Sequence, residues 1–155
     1  ITALAGTDAA PNLIVLRSLG KFFGLAGLRV GFFFGPAALR ERMQAAMGPW
    51  TVSGPARAAA RLALLDTDWQ AAMRPRLCAE GARLQTLLAP LGEVKATPLF
   101  ATLTLNDPAA LHEHLAQHGI LTRRFDQSPL LRFGLPANEA GWQRLTEALS
   151  AWSPT

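Results

Sequence analysis

The sequence predicts an α/β protein whose C-terminal part is a small α+β lobe. Three observations predict it. Two short apolar runs, residues 13–18 and 27–35, flank a glycine-rich loop and have the composition of strands buried on both faces. Helical patterns fill the stretch from Pro36 to about Leu88. The remainder reads strand, helix, strand, strand, helix, which is the order of a compact α+β unit.

Each element has its own signal. Between the first two strands lies GKFFGLAG, too rich in glycine for a regular element. Pro36 opens a helix as its first residue, and Gly48 followed by Pro49 stops it. An alanine-rich helix continues from Gly54. Thr67 with Gln70 three positions on resembles a capping box and opens a long helix to about Leu88, with Pro75 expected to kink it or mark its true start. LGEVKATP then reads as a connection. The run Phe100 to Leu105 alternates like a half-buried strand, and Asp107 with Pro108 supplies the cap and first turn of a helix ending at Gly119. The strand candidates ILTRRF and LLRFGL follow, then a helix from about Asn138 to Trp152. The expected division is residues 1–67 and residues 68–155, the second opened by the long helix.

Composition narrows the function classes. Half of the 155 residues are apolar and 17% are charged, so the chain buries a core instead of staying disordered. The net charge of +4 is almost wholly arginine, because Lys21 and Lys95 are the only lysines. The arginines are scattered over several elements instead of forming one basic stripe, which favours small anionic ligands over nucleic acid. The lone cysteine, Cys78, permits no intrachain disulfide and fits a reducing, cytoplasmic setting. No apolar run approaches the roughly 20 residues of a membrane span.

The most informative string is SLGKFFGLAGLRVGF, residues 18–32. A lysine on a glycine-rich turn carries a hydroxyl three residues before it and an arginine eight residues after. An amine that forms a Schiff base must lose its proton near neutral pH, and apolar surroundings such as Phe22, Phe23 and Leu25 push it that way. Ser18 and Arg29 offer a hydroxyl and a permanent planar cation, the equipment for an anionic phosphate. Exposure on an ordinary turn is the usual fate of a single lysine. The whole string changes that weighting, because it resembles the active-site signature of the class I and II aminotransferases, pyridoxal-phosphate enzymes of fold type I.

That resemblance implies the C-terminal part of a fold type I enzyme: the end of the large-domain sheet in residues 1–67, then a linking helix and small C-terminal domain in residues 68–155. It implies pyridoxal 5'-phosphate as cofactor, Lys21 as its Schiff-base partner and catalytic acid-base group, and Ser18 and Arg29 as ligands of the cofactor phosphate. Gly20 departs from the family, which often has serine, threonine or alanine before the lysine, so this position brings no hydroxyl. The chain opens on Ile1 and reaches the motif within about twenty residues, so an N-terminal portion is expected to precede it. The fragment by itself is expected to be inactive, and the complete enzyme a homodimer.

A second constellation lies in LTRRFDQSPLLRFGLP, residues 121–136. Arg132 stands in an apolar strand pattern, where a guanidinium calls for an anionic partner unless its head snorkels into water. In the family an arginine of this strand clamps the substrate α-carboxylate. The lobe further resembles the histidinol-phosphate aminotransferase-like group, in which an arginine after a GIL-like strand meets a substrate phosphate. Arg123 aligns best with it, with Arg124 as a solvent-facing neighbour or an internal ion-pair partner. The strings VLRSLGKFFGLAGLRVGF, GPWTVSGPAR and LLRFGLP resemble a decarboxylating branch of that group, implying a small phosphorylated amino acid, L-threonine O-3-phosphate, as substrate. A histidinol-phosphate or related aminotransferase is the alternative, and a cofactor-sensing domain of a transcriptional regulator is a third.

Other features are set aside. His112, His114 and His118 lack the arrangement and companion ligands of a zinc site and read as a solvated helix face. Trp50, Trp69, Trp142 and Trp152 read as packing residues.

Overall fold

A computed structural model describes residues 2–153. The chain divides into two compact units, one through Asp68 and one from Trp69 onward.

In the first unit β1 (Val15–Ser18) pairs antiparallel with β2 (Gly31–Phe34), setting Ser18 opposite Gly31. Helix α1 (Ala37–Met47) follows, with Pro36 at its N-cap and Gly48 as its C-cap at φ 72°. Helix α2 (Gly54–Leu65) is capped by the Ser53 hydroxyl, which accepts from the Ala56 N–H, and carries Pro55 in its first turn. Ala56 and Ala60, one turn apart on α2, pack with Leu19 and Val30. Phe23, Leu25, Leu28, Phe32 and Val52 close around them. The small alanine side chains let the glycine-rich loop sit close to the helix.

The expectation that both strands are buried on two faces is not met within this unit. With only two strands in the ribbon, Leu16 is 74% exposed and every residue of α1 is at least partly accessible. Trp50 is 89% exposed, so it does not pack within this unit.

The second unit holds a four-stranded antiparallel sheet. Helix α3 (Thr67–Leu88) runs unbroken through Pro75, which therefore does not mark its start. Then come β3 (Glu93–Ala96), β4 (Phe100–Thr104), α4 (Pro108–Gln117), β5 (Arg123–Arg124), β6 (Leu130–Gly134) and α5 (Glu139–Ser150). The sheet order is β3-β4-β6-β5. Asp107 and Asn138 cap α4 and α5, accepting from the Ala110 and Gly141 N–H groups at 2.9 Å each. Strand β3 lies in the segment read from sequence as a connection. At four residues, with Val94 the only one not exposed, it carries too little alternation to be recognised.

Strand alternation decides which sheet face is covered. Ala101, Leu103, Leu131 and Phe133 are buried and join Leu84 and Leu88 of α3, Leu111 and Leu115 of α4, and Trp142 and Leu145 of α5 in one core. Each such buried leucine contributes about 1.5–3 kcal/mol. The residues between them, Phe100, Thr102, Leu130 and Arg132, occupy the other face and are only partly buried.

His118 is exposed, as on a solvated helix face, but His112 and His114 are not. His114 bonds the Ala148 carbonyl of α5 at 2.8 Å, and His112 bonds the Thr122 hydroxyl at 2.7 Å. Both are half-buried, since the histidine edge reaches hydrogen-bond partners that a fully outward-facing residue would lack. Among the described residues no cluster of metal-ligating side chains is present.

Gly81 of α3 gives a prediction with opposing terms. Alanine there would gain about 1 kcal/mol of helix propensity. Its methyl would also lie 2.9 Å from the Thr97 carbonyl oxygen and 3.0 Å from the Pro98 Cα, both backbone atoms, and overpacking of that kind costs about 1–3 kcal/mol. Gly81→Ala is therefore expected to lower the denaturation midpoint, whereas at an uncrowded helical glycine it would raise it.

Candidate functional site

Backbone hydrogen bonds build the lysine loop. Leu19 N–H donates to Val30 (3.4 Å), Leu25 N–H to Leu19 (3.0 Å), and Gly24 N–H to the Lys21 carbonyl (3.0 Å), closing a turn with Gly24 at φ 68°. Leu19, Phe23, Leu25 and Leu28 turn into the α2 core, and Ser18, Lys21 and Arg29 are left exposed. The apolar enclosure expected around Lys21 is not formed within this unit. Phe22 packs edge-on against Phe23 at 5.0 Å, and Phe23 faces the core.

Ser18, Gly20, Lys21 and Arg29 line one pocket of about 220 Å³, together with Leu25, Ala26, Val30 and Gly31. The three expected ligands of the first site are thus gathered on one concave surface. The Ser18 hydroxyl oxygen accepts from the Gly20 N–H at 2.9 Å, which fixes the serine side chain toward the loop and leaves its own hydrogen to donate. A Cβ on Gly20 would stand 3.3 Å from the Ala26 Cα and 3.2 Å from the Ser18 hydroxyl oxygen. The departure at Gly20 therefore keeps space inside the pocket.

Arg29 is the single non-glycine residue with positive φ (53°) among the described residues. This conformation costs an L-residue energy and persists where the surroundings hold it. Its N–H donates to the Ala26 carbonyl at 3.3 Å, and its side chain reaches the same oxygen at 3.5 Å. A hydroxyl, an amine, a guanidinium and glycine backbone around one small cavity suit a phosphate-bearing cofactor with an aldehyde to join the amine.

The second unit holds the other two residues. Arg123 stands directly opposite Arg132 in the β5-β6 pairing, and Arg132 opposite Thr102 in β4. Thr102 in turn opposes Lys95 of β3, so Lys95, Thr102, Arg132 and Arg123 form one row across the sheet on the face opposite its core. Like charges directly opposed destabilise a sheet. Among the described residues no carboxylate pairs with Arg123 or Arg132. Arg124, by contrast, bonds Asp126 at 3.0 Å, which makes it the internally paired member of the doublet and leaves Arg123 free to meet an outside anion.

Aromatic rings, missed in the sequence, flank this pair. The guanidinium of Arg132 lies 4.8 Å from the Phe100 ring centroid and 5.9 Å from that of Phe125, and Arg123 lies 5.3 Å from Phe125. No sequence period marks Phe125, because β5 is only Arg123–Arg124 and Phe125 lies just beyond it.

Both clusters fall inside a match to one family model, aminotransferase class I and II, over residues 1–149. The chain belongs to the class I and II aminotransferase family. This is a pyridoxal-phosphate-dependent family, and the chain is a mixed α/β part of its fold type I architecture. Among relatives, it is 49% identical over 150 residues to a threonine-phosphate decarboxylase of Pseudomonas aeruginosa, covering 96% of this chain and 45% of that protein. A threonine-phosphate decarboxylase of a Sinorhizobium species is 42% identical over 142 residues, covering 90% and 42%. The structure superposes on the histidinol-phosphate aminotransferase of Sinorhizobium meliloti, solved in complex with pyridoxal-5'-phosphate, with a TM-score of 0.78 at 24% identity. That match covers 90% of this chain and 40% of the other, and it speaks to the fold alone. The chain spans less than half the length of these relatives. Among the described residues no helix is long and apolar enough to cross a membrane.

Proposed function

We propose that the complete protein is a pyridoxal-phosphate-dependent decarboxylase of L-threonine O-3-phosphate, releasing carbon dioxide and (R)-1-aminopropan-2-yl phosphate in cobalamin biosynthesis. The observation that carries the substrate class is the cross-strand pair Arg123 and Arg132, two cations on one sheet face that have no carboxylate partner among the described residues. A substrate with two anionic groups satisfies both. The 49% identity to a threonine-phosphate decarboxylase supports the reaction.

In this proposal Ser18 and Arg29 hold the cofactor phosphate, and Lys21 joins the cofactor and then moves protons at the substrate carbon. The cofactor, when bound, supplies the electron sink for the breaking carbon–carbon bond. Arg132 grips the α-carboxylate through two parallel N–H donors, and Arg123 takes the phosphate. The complete enzyme acts as a cytoplasmic homodimer, and the single exposed thiol of Cys78 fits a reducing compartment.

Incubation of the complete protein with L-threonine O-3-phosphate tests the assignment. Stoichiometric carbon dioxide without a keto-acid acceptor is the expected result. No carbon dioxide, with rapid amine transfer to 2-oxoglutarate, would establish an aminotransferase instead.

A further inference from the structure

We propose that Phe125 is a positioning residue that holds Arg123 and Arg132 apart and oriented for two anionic groups, with Phe100 backing Arg132. This inference rests on the assignment of those arginines to the substrate. Three guanidinium-to-ring distances support it, 5.3 Å and 5.9 Å from Phe125 to the two arginines and 4.8 Å from Phe100 to Arg132, all within the roughly 6 Å reach of a cation–π contact.

The chemistry explains why a ring serves here and a carboxylate does not. A guanidinium directs its N–H donors outward in its own plane, and its flat face carries none. A carboxylate partner occupies the in-plane donors, as Asp126 does for Arg124 at 3.0 Å, and a substrate then has to displace it. A ring that engages the cation through its own face leaves donors available for an incoming anion. Phe125 contacts both arginines, so one residue offsets part of their repulsion and sets the distance between the two anion subsites.

The test uses calorimetric titration of inorganic phosphate, and separately of L-threonine O-3-phosphate, into the complete protein and its variants. Phe125→Leu and Phe125→Met keep apolar bulk without a π face, and Phe125→Tyr restores the face. Both aliphatic variants are expected to bind each probe about fivefold more weakly, with Phe125→Tyr close to wild type. In turnover the defect is expected in KM with kcat nearly unchanged. If one aliphatic variant does not fold, judged by its thermal transition, the other decides. Wild-type affinity in a folded aliphatic variant, or loss in Phe125→Tyr equal to that in Phe125→Leu, would overturn the inference. Tight phosphate binding that follows this pattern in a protein that does not turn over threonine phosphate would uphold the positioning role while removing the substrate assignment.

Discussion

Lys21→Ala in the complete protein is expected to lower turnover by roughly 10⁴-fold and to remove the visible absorbance of a lysine-linked cofactor, while leaving the unfolding midpoint of the cofactor-free protein nearly unchanged. The lysine has two tasks, forming the link to the cofactor and carrying protons, and loss of a positioned acid-base group alone removes about 10²–10⁴. The stability half of the expectation follows from placement. Lys21 is exposed, and its backbone carbonyl, which accepts from Gly24, is kept by alanine. Substitutions at such positions change stability by about 0.5 kcal/mol or less. A large loss of folding stability in the cofactor-free variant would mean that the lysine is structural.

Arg132→Leu is expected to reduce kcat/KM by about 10²–10³, and Arg132→Lys by nearly as much. Lysine keeps the charge but replaces a planar two-pronged donor by a point, and each charge-assisted hydrogen bond contributes about 1.5–3 kcal/mol. Arg124→Ala, one residue beyond Arg123 but already satisfied by Asp126, is the internal control and is expected to stay within a fewfold of wild type. The same geometry predicts an inverse effect on stability. Because Arg132 opposes Arg123 across β5-β6, removing one of two facing cations relieves repulsion, so Arg132→Leu is expected to fold at least as stably as wild type. A variant that loses activity and stability together would point to a packing role.

Much of this was legible in the sequence, for identifiable reasons. Asp107 and Pro108, Asn138 and the glycine stops are local signals, and local chemistry fixed those helix ends. The alternation in FATLT marks a half-buried strand, whereas Arg132 reads only as a cation inside an apolar run, and the structure sets it on the face opposite the buried Leu131 and Phe133. What could not be read depends on pairing. Strand β3 is too short to show a period, and its place in the sheet comes from the register of Lys95 with Thr102. The facing of Arg123 and Arg132 is a property of two strands, and no count of residues between them gives it. The left-handed conformation of Arg29 belongs to the loop closed by Val30 and Leu19, and the sequence text marks that residue only as a cation. The enclosure expected around Lys21 was inferred from neighbours in sequence, but alternating side chains of a loop point in different directions, and Phe23 and Leu25 turn to the core.

The central claim is that Lys21 is the residue that holds the cofactor. Borohydride reduction of the complete protein loaded with pyridoxal phosphate, followed by proteolysis and peptide mass mapping, tests it most directly. Of the two lysines in this chain, the pyridoxyl group is expected on Lys21 and not on Lys95, which lies on β3 with its side chain 80% exposed and 3.4 Å from Glu93. A pyridoxyl group on Lys95, or on a lysine outside this chain with Lys21 unmodified, would contradict it.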